Sequence, residues 1–118
     1  MMDTRMIKVS ILDTEYPMCY TVAAADRMER ELGGLPDVWN ADTTLIAAEI
    51  LLEGGEHRYA WLTAAQPRQT PTADRLRQAL TPGQLPQLLK IVLTVIHDGL
   101  KTTVETAPKN GEATQVSG

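Results

Sequence analysis

The sequence predicts an α+β fold that is mainly α: an N-terminal β-hairpin, then about four helices, the last one long and amphipathic. Three observations predict it. Residues 6–20 alternate apolar and polar side chains, the period of a strand. Residues 81–104 carry an unbroken helical period. Between them, glycine pairs and prolines cut the chain into shorter segments. The chain has 118 residues, enough for one domain over 1–104. Residues 105–118 read as a polar, flexible tail.

In the hairpin, Ile7, Val9 and Ile11 alternate with Lys8 and Ser10. Leu12-Asp13-Thr14-Glu15 supplies the turn, and Tyr16, Met18 and Tyr20 alternate back. Pro17 has no N–H to donate, which confines it to an edge strand or to the very start of the second strand. A lone hairpin is marginal in water, so it must lie on a helix or pair with the edge of another chain.

Thr21 begins a helix that Gly33-Gly34 stops. Val22, Ala25, Met28, Glu29 and Leu32 define its inner edge, and Arg27, Arg30 and Glu31 face out. A loop over 35–41 carries Pro36 and Trp39. Asp42 can cap a helix over 43–53, with Gly54-Gly55 expected to end it. Leu45, Ile46, Ala47, Ala48, Ile50, Leu51 and Leu52 surround nearly its whole wheel, leaving Glu49 and Glu53 as a narrow polar stripe. Such a helix is buried on most sides. It is either the centre of this domain's core or buried against another protein chain. On the second reading Ile46, Ile50 and Leu51 carry the contact, with Trp39 and Trp61 as aromatic anchors or core plugs.

The alanines of 56–66 favour a short helix. Residues 66–71 form a hinge with Pro67 and Pro71, and Thr72 caps a helix over 73–80. Thr81, Pro82 and Gln84 then give cap, first-turn proline and capping box. Pro86 moves the true start of the long helix toward Gln84. Leu85, Leu88, Leu89, Val92, Leu93, Val95, Ile96 and Leu100 share one face of that helix. Gln87, Lys90, Thr94, His97, Asp98 and Lys101 share the other.

Little in the chain looks catalytic. His57 and His97 read as surface histidines, and Ser10 and Ser117 are poorly placed as nucleophiles. Cys19 and the histidines lack metal-ligand spacing, and neither glycine pair follows a strand as a phosphate loop would. Glu29, Glu31, Glu49 and Glu53 read as solvated helix faces. We therefore expect no catalytic residues, cofactor or metal. The net charge of −4, with scattered basic residues, argues against nucleic acid or an anionic membrane as partner. No apolar run approaches the ~20 residues of a membrane span. One cysteine and the absence of a signal-peptide pattern at the N-terminus fit a reducing cytoplasm.

The order of elements resembles a family. IKVSILDTEYPMCYTV leads into AADRMERELGG, a mostly apolar helix follows, and LTPGQLPQLLKIVLTVIHDGLK closes the ordered part. Over residues 6–104 this is similar to the tail assembly chaperones of long-tailed bacteriophages and prophages. There a strand pair ending in a Y-P-like step precedes an acidic, glycine-terminated helix, and a long helix starts at L-T-x-x-x-L. The resemblance implies a non-enzymatic protein that coats the tape measure protein and helps recruit tail tube subunits. It also implies action in the bacterial host's cytoplasm and departure before the particle is finished. Many such genes make a longer, frameshifted product. Copies lined along a client would also self-associate. The runner-up reading is a permanent head–tail connector or tail completion subunit.

Overall fold

In a computed structural model, which describes residues 6–101, the chain is a β-hairpin and four helices gathered around one of them. Strands β1 (Ile7–Ile11) and β2 (Thr14–Met18) are followed by α1 (Val22–Leu32), α2 (Ala41–Thr63) and α3 (Ala73–Ala79). A 3₁₀ turn (Pro82–Gln84) then leads into α4 (Leu85–Gly99). The expected tail and the last residues of the long helical pattern, 102–104, lie outside the described residues.

The hairpin closes at Ile11↔Thr14 through a two-residue loop, Leu12 and Asp13. Both have positive φ, 53° and 64°, as a type I′ turn requires. Register fixes which residues bond across the ladder. Ile11↔Thr14, Val9↔Tyr16 and Ile7↔Met18 are the hydrogen-bonded pairs, and Lys8↔Pro17 and Ser10↔Glu15 are not. Pro17 thus stands where the ladder needs no donor.

Helix α1 begins as its sequence dictates: Thr21 Oγ1 accepts the Ala24 N–H at 3.0 Å. It ends at Gly33, whose φ of 75° is left-handed. Its inner edge is turned from the expected phase. Ala24 and Met28 are buried, whereas Val22 is 81% exposed. Arg27, expected to face out, is folded down onto α2.

Helix α2 departs most from expectation. Its cap is Asn40, not Asp42: Asn40 Oδ1 accepts the Thr43 N–H and Thr43 Oγ1 accepts the Asn40 N–H, both at 2.9 Å. Asp42 instead pairs with Arg77 at 2.6 Å. The helix does not stop at Gly54-Gly55. It runs through them to Thr63, so the short helix expected within 56–66 is its last turns. The glycines serve approach, not termination. A Cβ on Gly55 would lie 2.1 Å from the Pro17 carbonyl oxygen, and one on Gly54 2.7 Å from that of Cys19. Only with bare α-carbons there can the end of β2 lie against the helix, where the Cys19 N–H donates to the Leu51 carbonyl at 3.1 Å. The stop comes at Ala64, in the left-handed region with φ 57°.

Strand β2 and helices α1, α3 and α4 all pack on α2, which explains its apolar circumference. Leu45, Ala47, Ala48, Ile50, Leu51 and Leu52 are all buried. The reading in which Ile50 and Leu51 meet another protein chain is therefore corrected: this chain covers both itself, as the core-helix reading has it. Ile46 and Trp39 are half-buried against the same core. Helix α4 contributes Leu88, Val92, Val95 and Ile96, while Leu93 and Leu100, expected on its apolar face, are exposed. Thr81 and Gln84 form their capping box in the 3₁₀ turn, and Pro86 falls in the first turn of α4, where its missing N–H has no partner to lose.

Candidate functional site

The C-terminal turns of α2 outrun the core. Beyond the buried Glu56 and Ala60, Tyr59, Leu62 and above all Trp61, 83% exposed, turn apolar surface outward. Of the residues the sequence singled out for partner contact, Trp61 alone is fully presented. The structure does not bring it together with Trp39, Ile46, Ile50 or Leu51: Trp39 and Ile46 lie toward the other end of α2, and the last two lie inside. Tyr59 and Leu62, which sequence reasoning passed over, join Trp61. Their exposure follows from α2 continuing through the glycine pair, which no local pattern announced.

The projecting turns are braced at their base. The Glu56 carboxylate, 3% exposed, accepts from Arg68 Nε and Nη2, each at 3.0 Å, and from the Arg68 backbone N–H at 2.8 Å. Arg68 also reaches the Glu15 carbonyl at 3.1 Å and lies 4.9 Å over the Tyr16 ring. One guanidinium thus ties the extended segment after α2 to the helix and to the hairpin. Burial pushes the Glu56 carboxyl up, but the hydrogen bonds and charge of Arg68 outweigh it, so its pKa lies below the ordinary 4.5. Hydrogen bonding to Glu56 in turn raises Arg68.

A depressed carboxyl stabilises the fold above its unfolded pKa and loses that contribution as the pH falls through its folded pKa. Arg68→Ala is therefore expected to lower stability at neutral pH by about 1–2 kcal/mol, the half-exposed guanidinium being partly screened. The gap between parent and variant should narrow as the pH drops below 4.5. Urea midpoints measured across that range check this, and a gap independent of pH would refute it.

A second network sits beside the first. Arg27 Nε donates to Glu31 at 2.6 Å, Nη1 to Glu53 at 2.7 Å, and Nη2 to Glu49. Glu49 also accepts the Ala73 N–H, at 2.6 Å, which fixes the start of α3. Burial lowers the Arg27 pKa, but its bonds to Glu31 and Glu49 raise it further, so the group stays charged. The stripe of Glu49 and Glu53, expected to be solvated, is a joint between α1, α2 and α3. Between the networks lies a cleft of about 290 Å³ walled by Arg27, Glu49, Glu53, His57, Arg68 and Thr72. Its opposite charges satisfy one another, so a ligand would have to break those pairs to enter.

Among the described residues, no three His, Cys, Asp or Glu converge as metal ligands, and no single helix is long and apolar enough to cross a membrane. Comparison with protein-family models, with curated proteins and with solved structures found no match.

Proposed function

We propose that the chain is a non-enzymatic binding protein, a tail assembly chaperone that holds the tape measure protein of a long-tailed phage and helps recruit tube subunits. It would act in the host cell and leave before the particle is complete. The observation that carries the reading is the aromatic and aliphatic end of α2, with Trp61 83% exposed beside Tyr59 and Leu62. An exposed apolar cluster on a rigid, braced helix end suits an amphipathic helical client. Such a client buries Trp61 at the centre of the contact. The element order on which the resemblance rests, hairpin then helices ending in α4, adds support.

The test uses a purified segment of the tape measure protein encoded beside this chain's gene. Binding should shift the Trp61 emission to the blue. Trp61→Ala should weaken it about 30-fold or more, the effect of losing a hot-spot aromatic. The variant should keep the parent's melting temperature, because the side chain it loses is 83% exposed. No binding of the segment, or equal binding by the variant, would overturn the proposal.

A further inference from the structure

The two outer edges of the hairpin are treated differently. The edge of β2 is largely occupied by its own chain. The Glu15 carbonyl takes Arg68, Pro17 has no N–H, the Pro17 carbonyl abuts Gly55, and the Cys19 N–H is bonded to Leu51. The edge of β1 is not. Register makes Lys8 and Ser10 the residues whose N–H and C=O point away from β2. Among the described residues the sheet has only its two strands, and no backbone hydrogen bond reaches Lys8 or Ser10 from elsewhere.

We propose that this edge pairs with the same edge of a second copy, antiparallel about a two-fold axis at Val9. Each two-stranded sheet then becomes half of a continuous sheet. Lys8 bonds Ser10 of the second copy in both directions, and the symmetry repeats the exchange, so every outward group of both residues is used. Side-chain chemistry favours this occupant. A lysine on an edge normally discourages pairing. Here the Lys8 ammonium lies 4.0 Å from the Glu15 carboxylate, and in this register it faces a serine, never its own copy. Glu15 of the second copy lies beyond that serine in the same row, so charges alternate across the shared face. Helix α2 packs on β2, which leaves the bulk of each copy away from the joint. The inference does not rest on the chaperone reading, because it uses the hairpin and leaves the end of α2 free.

Pro17 shows how to test it. A proline at a non-bonded ladder position costs the hairpin no bond, and Ser10 holds the matching position on β1. Ser10→Pro removes an outward donor while keeping the ladder. With rising concentration, the parent should pass from one chain to two by light scattering. The Lys8 and Ser10 amides should exchange more slowly in step. Folded Ser10→Pro should remain a single chain. A dimer that persists in the folded variant, or a parent that stays monomeric throughout, would overturn the proposal. If the variant does not fold, the parent amides decide: protection at Lys8 and Ser10 that follows concentration supports it, and exchange there unchanged by dimerisation overturns it.

Discussion

A Leu51→Glu variant should not fold. Leu51 is wholly buried, at 0% exposure, and its carbonyl accepts the N–H of Cys19, just past β2. Removing a buried leucine side chain costs about 2–5 kcal/mol. An unpaired carboxylate at the same place adds several more, or a comparable cost in protonating it. The sum reaches the roughly 5–15 kcal/mol that holds a domain together. Ile46→Glu, five residues earlier and only partly buried, should retain the fold and lose about 1–2 kcal/mol. Far-UV circular dichroism and thermal melts of the pair check this. A cooperative, parent-like melt for Leu51→Glu would mean that α2 is not the centre of the core.

Gly55→Ala is expected to destabilise, against the rule for a glycine inside a helix. Helix propensity alone favours alanine by about 1 kcal/mol. The new methyl would lie 2.1 Å from the Pro17 oxygen and 2.4 Å from its carbonyl carbon. These are backbone atoms, so no rotamer change relieves the clash, and β2 must move off the helix. Overpacking of this kind costs about 3 kcal/mol or more, leaving a net loss of about 2 kcal/mol or more once propensity is set against it. Gly83→Ala is the control, since a Cβ there meets nothing within 4 Å. Chemical denaturation midpoints of the three proteins decide it. A gain in stability for Gly55→Ala would mean that the strand does not press on the glycine.

Those two sites mark the boundary of what the sequence made legible. Local signals were readable wherever one stretch of chain contains both cause and effect. Thr21 and Thr72 cap what they should, Gly33 ends α1, and alternation from Ile7 to Met18 yields the hairpin. The Gly54-Gly55 pair misled because the same residue type serves two ends. A glycine that terminates a helix and a glycine that admits a neighbouring backbone look alike until the neighbour is placed. Arg27 misled for a related reason. Its partners on α2 lie 22 and 26 residues away, and only the crossing of α1 over α2 shows that the glutamate stripe is a joint. Glu56 and Arg68 carry no sequence signal of pairing. Trp61 was recognised as unusual, but its place at a projecting end depended on a helix length hidden by the glycines.

The arrangement around α2 also bears on how the molecule opens. Strand β2, α1, α3 and α4 lean on that helix far more than on one another. It acts as a hub, and the others are spokes. In such a layout a spoke can detach without taking its neighbours along, so amide exchange should sort the chain into separately opening units, with α2 the last to go. Fluctuations of the hairpin and of α4 would then be thermodynamically almost independent, and substitutions in different spokes nearly additive. A single long helix thereby sets the grain of the protein's motions as well as the shape of its core.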